Sequence, residues 1–216
     1  MTTDRVRVEA CVTTVLEART AVVAGAHRVE LCRELETGGL TPGLDLLVRV
    51  RSAVAVPVFA MVRPVGGPFL VGAAGAERML RDASACVEAG ADGLVAGALD
   101  GDDEVDAGLM RELVAVAAGR PVTFHRAFDQ TPHPLRALER LVNLGVARIL
   151  TSGGPESAWA GRHGLRDLVR ASGGRVSVVA GGSVRADHVA RLIDETGVGE
   201  VHARAEAVPD LVRALG

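Results

Sequence analysis

A chain of 216 residues that is 48% hydrophobic and carries a formal charge of −3 can bury a sizeable core and offers no basic face for nucleic acid. All 24 basic residues are arginine, which excludes chemistry that needs a lysine, such as Schiff-base aldolases and P-loop phosphate sites. The N-terminus has no basic run followed by an apolar stretch and no apolar run is long enough for a bilayer, so the chain reads as cytoplasmic, without a membrane partner, its three irregularly spaced cysteines reduced.

Apolar runs predict strands opening near Arg5, Arg28, Pro57, Gly93, Pro121, Arg148, Arg175 and Glu200, each followed by helical periodicity. The first ends Val8-Glu9-Ala10-Cys11 and the second Val29-Glu30-Leu31-Cys32, one Glu-x-Cys pattern on neighbouring strands. With a period of two, Glu9 and Cys11 share a face, as do Glu30 and Cys32, while Val8, Ala10, Val29 and Leu31 suit the helix-facing side. The third strand ends Met61-Val62-Arg63-Pro64. The fifth, opening at Pro121, runs through Phe124 into His125, Arg126 and Asp129, and charged groups in a buried strand need partners or a wet mouth to point into. After strands six and seven come Thr151-Ser152-Gly153-Gly154 and Ala180-Gly181-Gly182-Ser183, loops whose backbone N–H groups suit an anion. The eighth strand supplies His202 and Arg204, and a short helix near Pro209 to Leu215 closes the chain. Entry into several strands passes through a glycine, at Gly25, Gly90, Gly145 and Gly197, as expected for helices that end in the left-handed conformation.

Eight such units predict a single compact (β/α)8 TIM barrel over residues 1–216, and the Gly-x-Gly-x-x-Gly turn of the rival doubly wound sheet is missing from the first strand. Function is then expected at the C-terminal strand ends. The candidate catalytic set is Glu9, Glu30, Arg63, His125, Arg126 and His202: paired acids and histidine for proton transfer, arginine as an anion clamp. Thr151, Ser152, Gly153, Gly181 and Gly182 form the candidate anion site. These residues suit an enzyme acting on a small anionic metabolite, phosphorylated or not, or a barrel that binds such a metabolite without turning it over. Cys11 and Cys32 are candidate ligands for Cu(I), since soft thiolates prefer a soft ion, whereas the acids and histidines suit a divalent ion such as Mg, Mn or Zn. Cys86 is expected in the core, Trp159 as a lid or surface anchor, Asp129 in a turn, and His27, His133, His163 and His188 in solvent.

Six segments stand out together: Gly25-Ala26-His27-Arg28-Val29-Glu30-Leu31-Cys32, Gly38-Gly39-Leu40-Thr41-Pro42, Val62-Arg63-Pro64 with Gly66-Gly67, Thr123 to Asp129, Leu150-Thr151-Ser152-Gly153 and Glu200-Val201-His202. In this order they resemble the CutC family of copper homeostasis proteins. The resemblance implies a cytoplasmic TIM barrel, a homo-oligomer that is most often a dimer, and copper as the ion handled. After Gly66-Gly67 the family tends to carry Asp-Phe and then tyrosine, whereas this chain has Pro68-Phe69-Leu70-Val71.

Overall fold

The structure is a computed structural model that describes residues 6–154 and 156–216. The strands are β1 (Arg7–Val12), β2 (Arg28–Leu31), β3 (Val58–Met61), β4 (Gly93–Ala96), β5 (Val122–Phe124), β6 (Arg148–Thr151), β7 (Ser177–Ala180) and β8 (Glu200–Arg204). They alternate with α1 (Val15–Val23), α2 (Leu44–Ala53), α3 (Ala73–Glu88), α4 (Ala107–Val116), α5 (Pro134–Asn143), α6 (Arg162–Ser172), α7 (Val189–Thr196) and α8 (Val208–Leu215). Every strand pairs in parallel with its neighbours in chain order and β8 returns to β1, a closed barrel that rules out the open doubly wound sheet. Among the described residues no helix is long and apolar enough to cross a membrane. The predicted opening of strand one near Arg5 lies outside the described residues.

Local chemistry explains the boundaries. Thr14 caps α1 by accepting from the Glu17 N–H, the Glu17 carboxylate accepts in return from Thr13, and Pro134 opens α5, where its missing N–H costs nothing. Gly25, Gly90, Gly145 and Gly197 all take the positive φ their positions suggested. The main core lies between sheet and helices, with Val8, Ala10, Val29 and Leu31 facing outward into it as period two requires. Inside the barrel, Cys11, Cys32, Phe59, Met61 and Val95 form a separate small cluster.

The rest of the barrel floor is charged. Arg28, Arg148 and Glu200, the first residues of β2, β6 and β8, are all buried. Arg28 donates to both Glu9 and Glu200, Glu200 also accepts from Ser177, and Arg148 donates to Thr123 at 3.0 Å. The Phe59 ring meets both guanidiniums, 5.2 Å from Arg28 and 4.0 Å from Arg148. Gly93 leaves space for that ring, since an added Cβ there would sit 2.5 Å from it. Burial, then the neighbouring Arg28 charge, push Arg148 down to about 10, whereas Glu9 and Glu200 outweigh burial and raise Arg28.

Candidate functional site

Above this floor the C-terminal strand ends enclose a cavity of about 610 Å³, a size suited to a small metabolite, with Cys11, Glu30, Arg63, His125 and His202 on its wall. Strand register brings them together. Glu9 stands opposite both Arg28 of β2 and His202 of β8, and one step higher Cys11 stands opposite Glu30 and Arg204. Glu9 itself does not line the cavity. It lies beneath, 1% exposed, accepting from Arg28 and holding the His202 Nδ1 at 2.7 Å. The predicted acid pair at the mouth is therefore corrected: Glu9 is a buried counter-ion, and only Glu30 reaches the cavity.

The electrostatics follow from these contacts. Burial favours the neutral form of Glu9, but the His202 hydrogen bond and the Arg28 charge outweigh it and hold its carboxyl well below the usual range. Burial alone lowers His202, yet the Glu30 charge and the Glu9 hydrogen bond bring it up to about 9, so the ring is an imidazolium at neutral pH. Glu30 moves the other way, raised by burial and by the nearby Glu9.

The thiols meet at the inner end of the cavity. The Cys11 Sγ lies 3.5 Å from the Cys32 Sγ and 3.5 Å from the Glu30 Oε1. Cys11 faces the cavity and Cys32, wholly buried, sits behind it. Ligand atoms of Cys11, Glu30 and His202 all lie within 4.8 Å of one another. Glu9 occupies Nδ1 of His202, so Nε2 is the ring atom left for a cation, which would have to displace the imidazolium proton there, and the carboxylate would then orient the imidazole. The Cys32 hydrogen bond, burial and the Glu30 charge raise Cys11 well above an ordinary thiol, so Cys11 is protonated until a cation displaces its proton.

Two residues of the wall each carry a buried polar atom that has no partner among the described residues: the Glu30 Oε2 and the His125 Nε2. Strand five is shorter than its sequence suggests. It stops at Phe124, and His125 caps a 3-10 turn over Arg126–Gln130 by accepting the Ala127 N–H on Nδ1 at 3.2 Å. Arg126 and Asp129 therefore sit on a turn, not in the strand. The imidazole is held between the Phe69 ring, 4.9 Å away, and Gly97, where an added Cβ would come within 2.5 Å of Nδ1. Burial and the Arg63 charge push His125 down to about 3, so the ring is neutral.

Arg63 donates only to backbone carbonyls, at Thr37 (3.0 Å), Gly39 (3.4 Å) and Gly67 (2.9 Å), and lies 4.8 Å from the Phe69 ring. Among the described residues no carboxylate pairs with it, which leaves a half-buried positive charge at the rim. Pro68-Phe69-Leu70-Val71 thus builds an apolar wall that touches both Arg63 and His125. Arg126 instead pairs with Asp129 at 2.8 Å and reaches the Ser152 hydroxyl at 3.0 Å.

The predicted anion loops are largely used up internally. Asp129 accepts from the hydroxyls of Thr151 and Ser152 and from the Ser152 N–H, and the Gly153 N–H donates to the Thr151 hydroxyl at 2.9 Å. The Gly181 N–H donates to the Thr151 carbonyl at 2.9 Å, which leaves Gly182 and Ser183 on the cavity wall. Asp129 is therefore the counter-ion that organises this loop, a role that its place in a turn hid from the sequence. Gly153 answers a steric need, since an added Cβ would meet the Gly161 carbonyl at 2.2 Å. Two histidines expected in solvent are partly buried: Nδ1 of His27 accepts from Val8, and His188 stacks 5.5 Å from Trp159, a half-buried anchor. Cys86 lies in the core.

The CutC family profile matches residues 6–207. A family protein CutC from Xylella fastidiosa is 45% identical over 194 residues, covering 90% of this chain and 73% of that protein. A human protein named copper homeostasis protein cutC homolog is 41% identical over 202 residues, covering 94% and 74%. The crystal structure of a copper homeostasis protein CutC from Streptococcus agalactiae superposes with a TM-score of 0.87 at 29% identity, covering 91% of this chain and 97% of that one. A thiamine phosphate pyrophosphorylase from Pyrococcus furiosus, at 16% identity and a TM-score of 0.65 over 97% of this chain and 95% of its own, shares the fold alone.

Proposed function

The chain belongs to the CutC family, and we propose that it binds one copper(I) ion at the inner end of its barrel mouth, between the thiols of Cys11 and Cys32. The observation that carries this reading is the 3.5 Å approach of the two Sγ atoms on adjacent strands, with Glu30 and the His202 ring beside them. A soft monovalent ion favours soft thiolates, and its positive charge compensates the Cys11 thiolate that burial otherwise disfavours. The copper homeostasis names of relatives support the same assignment. Because uptake must displace thiol protons, affinity should rise with pH. Anaerobic competition titration with a chromophoric Cu(I) chelator tests the reading. One equivalent is expected, lost in the Cys11→Ser/Cys32→Ser protein and retained in His125→Ala. Undiminished binding by the double serine protein rules the site out.

A second reading is favoured by the unpartnered Glu30 Oε2 and His125 Nε2, because two buried polar groups without partners on one cavity wall cost free energy that a ligand would recover. On this reading the mouth also binds a small anionic metabolite, with Arg63 as the charge that attracts it and Glu30, His125 and His202 as the groups that touch it. Thermal stabilisation by small anions, lost in Arg63→Met, is the expected result.

A further inference from the structure

Resting on this second reading, we propose that the mouth recognises a small hydroxy-carbonyl compound bearing an oxyanion: the anionic group faces Arg63, the carbonyl oxygen accepts from His125 Nε2, and the hydroxyl meets Glu30. The tautomer of His125 carries the first step. Its Nδ1 already accepts the Ala127 N–H, so the ring hydrogen of the neutral imidazole sits on Nε2, and that atom can only donate. The ring is 4% exposed and its Nε2 has no acceptor among the described residues. The ring has little room to turn away, since Phe69 lies 4.9 Å from it and a Cβ added at Gly97 would come within 2.5 Å of Nδ1. A donor fixed in this way calls for an oxygen that accepts, and a ketone or aldehyde oxygen is an acceptor only.

Glu30 calls for something different. Its Oε1 takes the Cys11 S–H at 3.5 Å, and its Oε2 is unpartnered on the same wall. A hydroxyl satisfies that oxygen whether it must give or take a hydrogen bond, which a second carbonyl does not. Arg63 supplies the third requirement. Its guanidinium is held in place by three backbone carbonyls, so its orientation is fixed while its charge stays unpaired among the described residues. Arg126 is a poorer anchor because Asp129 already neutralises it. The oxyanion could be a phosphate or a carboxylate, and two matched pairs of probes separate them.

Dihydroxyacetone phosphate against glycerol 3-phosphate, and hydroxypyruvate against glycerate, differ within each pair only in whether the central carbon bears a carbonyl or a hydroxyl. Calorimetric titration of the wild-type protein should show, in one of the two pairs, the carbonyl compound binding about tenfold more tightly than its reduced partner. Which pair does so identifies the oxyanion. His125→Phe should bring the two members level, His125→Gln, whose amide can place an N–H near the same point, should restore part of the preference, and Arg63→Met should weaken both members alike. Thermal unfolding of each variant checks that it is folded. Equal binding of carbonyl and reduced compounds, a preference that survives in His125→Phe, or binding of inorganic phosphate alone overturns the proposal while leaving the mouth an anion site. No saturable binding by any of the four compounds or by inorganic phosphate overturns the second reading together with it.

Discussion

Replacing Glu9 by glutamine removes one charge and almost no volume from the centre of the barrel. Glu9 is 1% exposed and faces two cations, Arg28 and His202, of which Arg28 alone among the described residues has a second carboxylate within hydrogen-bonding distance, that of Glu200. Breaking a buried charge pair from one side costs about 3 to 5 kcal/mol, so Glu9→Gln should fall in that range at pH 7. The pH dependence gives a sharper check. His202 titrates near 6.5 when exposed and near 9 in the fold, so its contribution is complete below pH 6.5 and lost as pH rises through 9. At about 1.4 kcal/mol per pH unit that interval amounts to roughly 3 kcal/mol. In Glu9→Gln the Glu30 charge still supports the imidazolium, but the hydrogen bond and the Glu9 charge are gone, so the alkaline loss should become smaller and be complete at a lower pH. Equilibrium denaturation at a series of pH values between 6 and 10 measures both effects. A variant within about 1 kcal/mol of wild type, with the same alkaline loss, would refute the view that this pair holds the barrel floor together.

The acid side belongs in part to His125, which takes up a proton near 6.5 when unfolded and only near 3 in the fold, so stability should fall as pH drops from 6.5 towards 3. His125→Phe should flatten that fall relative to wild type in the same denaturation series. Gly97→Ala places a methyl group 2.5 Å from the His125 ring and should destabilise by about 1 to 3 kcal/mol while shifting the ring's NMR signals. Gly153→Ala combines a φ of +81° with a 2.2 Å clash against the Gly161 carbonyl, so a loss of about 2 to 5 kcal/mol is expected in thermal or chemical unfolding.

Much of the barrel was legible because its signals are local. The strand openings expected at Arg28, Gly93, Arg148 and Glu200 fall at the observed residues, and those at Pro57 and Pro121 come one residue early because proline brings no N–H to a ladder. Period two placed Glu30 and Cys11 on the inner face, and the repeated Glu-x-Cys pattern brought the two thiols together. What stayed hidden depends on register between distant strands. Nothing near Glu9 in the chain says that it stands opposite His202, 193 residues away, and below the mouth. An arginine opening a strand reads as solvent-exposed, yet Arg28 and Arg148 turn inward because Glu9, Glu200 and the face of Phe59 receive them. His125 looked like a strand residue until its own ring accepted the Ala127 N–H and ended the strand. The Gly153 loop looked like an anion nest, but Asp129 already occupies the neighbouring donors.

The central claim is a copper(I) site at the meeting point of β1 and β2, and anomalous diffraction at the copper edge from crystals grown anaerobically with one equivalent of Cu(I) tests it most directly. A single peak is expected within bonding distance of both the Cys11 and Cys32 Sγ atoms, beside the His202 ring. A peak that avoids the thiols, or none at that stoichiometry, would contradict it.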